Sequence, residues 1–190
     1  VFGPCLALDI VRKHLPDNGI MTCDVGAHTH LIGQKWSTPY AHSQIMTNGW
    51  SSMGFAIPAA IAAKLTKPKQ QVCAIIGDGG FLMTAGELAV AVREKLNIVF
   101  VLFTDNNLAL IRIKQNNKNV ENIGVDIRAK SSIGSDSLFG VPVVSCNNSD
   151  DFEIAIDKAF KGCEQNSGPV IIEAIIDSSE YDHMVLKANK

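Results

Sequence analysis

Two apolar runs that each end on an aspartate constrain this chain more than any other feature. Val72 to Ile76 is rich in β-branched residues and runs into Gly77-Asp78-Gly79-Gly80. A helix-like segment follows, and a second apolar run, Ile98 to Phe103, ends at Thr104-Asp105-Asn106-Asn107. Short continuous apolar runs bounded by turn residues read as strands buried on both faces. A helix between two such strands makes a crossover that pairs them in parallel. Asp78 and Asp105 then stand just past the same ends of two strands, on the edge where open parallel sheets bind ligands.

The rest of the chain repeats the alternation. Pro4 suits a first helical turn, and Leu6, Ile10, Val11 and His14 recur at helical spacing until the turn Pro16-Asp17-Asn18-Gly19. Ile20 to Val25 reads as a strand, Ala27 to Lys35 as a short helix, and Gln44 to Thr47 as a second short strand. Gly54 to Leu65, with alanines at 56, 59, 60, 62 and 63, suits a helix packed tightly between neighbours. Thr84 and Glu87 have the spacing of a capping box, with Met83 and Leu88 as a hydrophobic staple. The helix they open is expected to run to about Leu96, with Leu88, Val92 and Leu96 on its buried stripe. Leu108 to Gly140 reads as a helical turn or two, around Leu110, Ile111 and Ile113, and then a polar, Asn-rich mobile loop. Val141 to Cys146 and Val170 to Ile176 read as strands flanking an amphipathic helix through Phe152, Ile156, Phe160 and Cys163, with a frayed tail after the last. Strands alternating with helices predict an α/β fold: a three-layer, doubly wound parallel sheet with helices on both faces.

Composition narrows the function. At 190 residues, with 46% hydrophobic and 19% charged, the chain is a globular sequence of one domain's size. A net charge of −2 gives no electrostatic footprint for nucleic acid. No apolar run is long enough to cross a bilayer, and no signal peptide is visible, so a cytoplasmic protein is expected. Cys5, Cys23, Cys73, Cys146 and Cys163 are odd in number and lack CxxC spacing, which favours reduced thiols over disulfides. The first residue is Val1 rather than Met, which suggests a processed product or a piece of a longer chain.

The Gly77-Asp78-Gly79 motif and the spacing from Asp78 to Asp105 closely resemble the cofactor motif of thiamine-diphosphate enzymes. The text from Gly77 to Gln115 looks most like the acetolactate-synthase branch, and Asp24-Val25-Gly26-Ala27-His28 and Gly49 to Phe55 fit the same pattern upstream. The resemblance covers nearly the whole chain. It implies a C-terminal domain that binds the diphosphate of thiamine diphosphate through Mg²⁺, with Asp78, Asp105 and the backbone carbonyl of Asn107 as protein ligands. Most relatives carry Asn where Thr104 stands, so that letter departs while the metal-binding letter is kept as Asp.

Other residues take roles by the same resemblance. Gly79 and Gly80, lacking Cβ, let their N–H groups approach phosphate closely. Gly26, Ala27 and His28 are expected at the diphosphate; Ala27 replaces a glutamine and offers only its backbone, while His28 can donate from its ring. Met53 matches the bulky wedge that bends the cofactor, Ser51 would offer its carbonyl to the cofactor's amino group, and Leu110 aligns near the substrate-facing side of the ring.

Plainer readings exist for each. A lone GDG aspartate is usually a solvated turn residue, a lone histidine a surface one, and a Met in apolar text is usually core. His28 and His30 could suggest zinc, but no third ligand stands nearby. A nucleotide-binding oxidoreductase needs G-x-G-x-x-G, and Leu82 occupies the third glycine's place. No Gly-Lys-Ser/Thr occurs for a Walker site.

The resemblance implies decarboxylation or carboligation of a 2-keto acid, with a benzoylformate-type or glyoxylate-using carboligase as alternatives. It also implies a catalytic glutamate on a separate pyrimidine-binding domain, in the same or a partner chain of a homo-oligomer. No glutamate here stands in such a motif, so the 190-residue chain is expected to be inactive alone.

Overall fold

The computed structural model describes residues 2–127, 136–165 and 167–183. In chain order the elements are α1 (Pro4–His14), β1 (Ile20–Cys23), α2 (Ala27–Lys35), β2 (Gln44–Met46), α3 (Ala56–Thr66) and β3 (Val72–Gly77). Then come α4 (Asp78–Thr84), a 3₁₀ turn (Ala85–Glu87), α5 (Leu88–Arg93), β4 (Ile98–Thr104) and α6 (Ala109–Asn117). The chain closes with β5 (Ser137–Leu138), β6 (Val141–Cys146), α7 (Ser149–Glu164), β7 (Val170–Ile175) and α8 (Ser179–Asp182).

The strands form one sheet in the order β2-β1-β3-β4-β7-β6-β5, parallel throughout except for β5, which pairs antiparallel with β6 at the edge. Successive residues of a strand point to opposite faces, so each central strand feeds two cores. On one face Cys73, Ile75, Val99, Val101 and Phe103 pack with residues of α1, α2, α6 and α7. On the other, Val72, Ala74, Ile76, Ile98, Phe100 and Leu102 pack with α3, α5 and Phe81 of α4. The doubly wound, three-layer arrangement expected from the alternation is present, with β5 as a short strand that the sequence pattern did not reveal.

The order also places a switch point. From β1 the chain moves outward to β2, then crosses to β3 on the other side of β1. Connections leaving the C-terminal ends of β1 and β3 therefore diverge to opposite sides and open a crevice between them. Both the β1–α2 turn and the β3–α4 turn sit on its rim.

The expected capping box does not form, and the helix after it ends at Arg93 rather than near Leu96. Thr84 makes no side-chain cap hydrogen bond, its Oγ1 has no partner among the described residues, and Glu87 belongs to the 3₁₀ turn. Helix starts twice instead, at Asp78 directly after β3 and at Leu88. Met83 is 61% exposed, so no staple forms, and Val92 faces outward while Ala91 joins Leu88 and Leu96 in the core. The physical reason is the early start: α4 is already helical through Thr84, which leaves that residue at a helix end rather than a beginning. Part of the expected mobile loop, residues 128–135, lies outside those described, as does the end of the tail, 184–190.

All the cysteines are free thiols, four of them buried, and burial pushes the thiols of Cys23, Cys73 and Cys163 up. Such thiols are poor nucleophiles at neutral pH. Among the described residues no helix is long and apolar enough to cross a membrane.

Candidate functional site

A cavity of about 250 Å³ opens at the switch point. The β1–α2 turn contributes Gly26, Ala27 and His28, and the loop before α3 contributes Ser51 and Met53. The β3–α4 turn brings Gly77, Asp78, Gly79 and Gly80, and the chain after β4 brings Asp105, Asn107 and Leu110. Every residue singled out from the sequence thus lies in one wall. Parallel pairing does this: Gly77 of β3 is in register with Phe103 of β4, so both strands release their acids at one level.

Asp78 opens α4 and also ties the two strand ends together. Its Oδ1 accepts the Gly79 N–H at 2.8 Å, and its Oδ2 accepts the N–H groups of Asn106 at 2.7 Å and Asp105 at 3.2 Å. Asn106 adopts a left-handed conformation (φ 57°), which Asn tolerates better than most residues, and this turns the chain back toward Asp78. Asp105 Oδ1 accepts the Asn107 N–H at 3.2 Å. Among the described residues Asn107 Oδ1 is buried without a partner and Asp105 Oδ2 makes no close hydrogen bond, while the Ser178 hydroxyl and the Arg112 charge act on Asp105 against its burial.

The charges of this pair are unfavourable as they stand. Burial first, and the Asp105 charge second, push the Asp78 carboxyl up to about 6. Burial also raises Asp105. Two desolvated acids beside unsatisfied acceptor oxygens would be stabilised by a hard cation, which prefers such oxygen ligands. Among the described residues no group of three or more His, Cys, Asp or Glu could hold a metal. A cation here therefore needs oxygens from elsewhere, as an ion bridging to a diphosphate has.

The remaining wall is neutral and close-fitting. A Cβ on Gly79 would come within 2.7 Å of the tip of Leu108 and 2.9 Å of the tip of Met53, so glycine leaves the backbone open at the centre of the site without displacing either side chain. His28 is buried against Phe103, its Nε2 has no partner among the described residues, and burial lowers its pKa to about 4. The ring is uncharged at neutral pH, so hydrogen bonding rather than charge is what it can offer to the cavity. Ser51 holds a left-handed backbone (φ 51°) that costs a serine about 1 kcal/mol or more. Non-glycine strain of that kind persists where the surroundings over-determine it.

Some wall residues were not foreseen. Phe103, Ile176 and Tyr181 also line the cavity, with Tyr181 on α8 beyond the last strand. No spacing marks a tyrosine that returns from so far along the chain. Asp24 lies behind the wall, and its signal was visible: an acid directly at a strand's end, two residues before Gly26.

Comparison with known proteins agrees with this geometry. Residues 24–174 match the family described as thiamine pyrophosphate enzyme, C-terminal TPP binding domain. The chain is 29% identical to the acetolactate synthase of Bacillus subtilis (strain 168) over 170 residues, 90% of this chain and 29% of that protein. It is 28% identical to 3D-(3,5/4)-trihydroxycyclohexane-1,2-dione hydrolase of Clostridium perfringens over 128 residues, 67% of this chain and 20% of that protein. In fold it resembles the thiamine diphosphate-dependent 4-hydroxybenzoylformate decarboxylase of Rhodococcus jostii RHA1, with a TM-score of 0.82 at 22% identity, over 94% of this chain and 33% of that one. The chain thus spans a third or less of the length of these relatives.

Proposed function

Because the chain belongs to the thiamine pyrophosphate enzyme family, as its C-terminal TPP-binding domain, we propose that it holds the cofactor's diphosphate through Mg²⁺ in an enzyme acting on 2-keto acids. The reaction class is decarboxylation or carboligation, as in acetolactate synthase. The chain is read as one domain of a longer, oligomeric enzyme whose pyrimidine-binding domain supplies the glutamate.

One observation carries this reading: the desolvated carboxyls of Asp78 and Asp105 stand together in a cavity at the sheet's switch point, and among the described residues Asp105 Oδ2 is buried with no close hydrogen bond. Acceptors in that state cost stability unless something binds them. A magnesium ion would take the Asp78 and Asp105 carboxylates and the backbone carbonyl of Asn107 as protein ligands, with the rest of its shell from phosphate and water. The Gly79 and Gly80 backbone approaches the diphosphate without a Cβ in the way, and His28 offers Nε2 to it. Met53 and Leu110 exclude water and shape the space for the rings, with the Ser51 carbonyl facing the amino group. When bound, thiamine diphosphate supplies the nucleophilic carbon and the electron sink that 2-keto acid chemistry needs.

A second reading stays within the same cofactor chemistry. The hydrolase relative is about as similar as the synthase, so this part of the chain does not distinguish their substrates. Calorimetry with thiamine diphosphate and Mg²⁺, with NAD as the control, tests the shared step. Mg²⁺-dependent binding of thiamine diphosphate alone is the expected result; binding of NAD instead would overturn the assignment. Pyruvate turnover by the purified 190-residue chain would refute the need for a second domain.

A further inference from the structure

The carboxylate of Asp24 is 1% exposed and lies outside the cavity wall, yet it touches three of the segments that build that wall. Its Oδ1 accepts the Val25 N–H at 2.8 Å, at the start of the turn that carries Gly26 and His28. The Gly54 N–H reaches both oxygens, at 2.9 and 3.2 Å, and the Phe55 N–H reaches Oδ1 at 3.2 Å. These two amides directly follow Met53. On its other side the carboxylate lies against Gly80, where a Cβ would fall on Oδ2. Gly80 thus has a second reason to be glycine, one unrelated to phosphate.

The loop that Asp24 holds needs an anchor. Ser51 and Gly54 both adopt left-handed backbone, with φ 51° and 83°, so Met53 sits between two reversals of the chain. Trp50, just before them, is 95% exposed and packs on nothing that would fix the loop. A buried carboxylate is costly, and burial raises the Asp24 pKa. Several backbone N–H bonds offset that cost at this one point, and they couple the loop to the end of β1, while the other side of the carboxylate packs against Gly80 of α4.

We propose that Asp24 is a positioning residue: it sets the place of Ser51–Met53 over the cavity, and with it the fit of the cofactor's ring portion, without touching the cofactor. This rests on the cofactor reading above. The role predicts a selective defect. Thiamine diphosphate uses both the metal corner and the Met53 loop, whereas inorganic pyrophosphate uses only the metal corner.

The test compares the wild-type chain with Asp24→Asn by calorimetry against each ligand in the presence of Mg²⁺. Amide hydrogen exchange of the unliganded proteins supplies a second measurement. Asparagine can keep an oxygen toward the three donors, but it puts an N–H₂ where Oδ2 also receives Gly54 and removes the charge that strengthens all of these bonds, so thiamine diphosphate binding is expected to weaken about tenfold or more, with pyrophosphate changed by less than about twofold. Exchange at Gly54 and Phe55 is expected to speed up while the β3 and β4 amides stay protected. Equal losses for both ligands, or unchanged exchange at Gly54 and Phe55, would overturn the proposal. Wild-type protein that binds neither ligand would refute the cofactor reading instead, and exchange would still decide whether Asp24 holds the loop. Should Asp24→Asn fail to fold, Gly80→Ala displaces the same carboxylate from the opposite side. It is read by exchange alone, with the same expected and opposing results.

Discussion

Asp78 Oδ2 accepts the backbone N–H of Asn106 at 2.7 Å, so the acid at the end of β3 also latches the turn that follows β4. With Gly79 and Asp105 it receives three backbone donors, whereas one backbone donor, from Asn107, reaches the Asp105 side chain. The two acids therefore differ in what they do for the empty fold. Asp105→Ala is expected to abolish Mg²⁺-dependent cofactor binding while leaving the fold intact, since it also removes the charge that opposes Asp78. Asp78→Ala is expected to lose binding too, and to be less stable than Asp105→Ala by roughly 1–3 kcal/mol, because buried N–H groups lose their acceptor. Urea unfolding of both unliganded variants at pH 7 checks the order; equal stabilities would show that the latch contributes nothing.

His28 makes a pH prediction whose sign is opposite to that of a surface histidine. Burial holds its folded pKa near 4, below the ordinary value of 6.5. Between those values the unfolded chain binds a proton at this position and the folded chain does not. Stability from His28 is thus present above pH 6.5 and is lost as pH falls toward 4. Relative to His28→Gln, wild-type protein should lose on the order of 1 kcal/mol per pH unit across that window. Unfolding curves of the pair at pH 7.5, 6 and 5 test this, and a constant difference would mean that the ring titrates freely in the fold.

The sheet and the paired acids at its edge were readable because each rests on a local and repeated pattern. Val72 to Ile76 and Ile98 to Phe103 are buried on both faces, so their apolar runs carry few interruptions, and the glycines and acids that follow mark their ends. The other side of the site was hidden for a physical reason. Tyr181 reaches the cavity only because α8 folds back beside α6, where Asp182 pairs with Arg112 at 2.9 Å. Nothing local to Ser179–Asp182 encodes that contact.

Glu173 shows the same limit from within a strand. It is 1% exposed in the middle of β7, where the pattern predicts an apolar residue. Its oxygens accept the Thr104 hydroxyl on β4 at 2.8 Å and the Ser145 hydroxyl on β6 at 2.5 Å. The carboxylate therefore fastens three strands, and Thr104 directly precedes Asp105. Glu173→Ala leaves the buried Thr104 hydroxyl without its acceptor and opens a cavity. A loss of roughly 2–4 kcal/mol is expected by chemical denaturation. Glu173→Gln keeps the volume and one acceptor, so its loss should be smaller; losses of the same size would indicate that packing, not hydrogen bonding, holds this position.

Thr84 separates the sequence pattern from the structure most sharply. As the N-cap of a capping box, its loss would cost about 1 kcal/mol. In the structure its Oγ1 is buried without a partner, and its methyl group lies beside Gly54. Valine has the same branched shape without the hydroxyl, so Thr84→Val removes an unsatisfied polar atom and keeps the contact. Stability is therefore expected to rise by roughly 1 kcal/mol. Thermal or urea unfolding of the single variant decides between the two readings. Destabilisation of that size would restore the cap and require helix to begin at Ala85 rather than directly after β3.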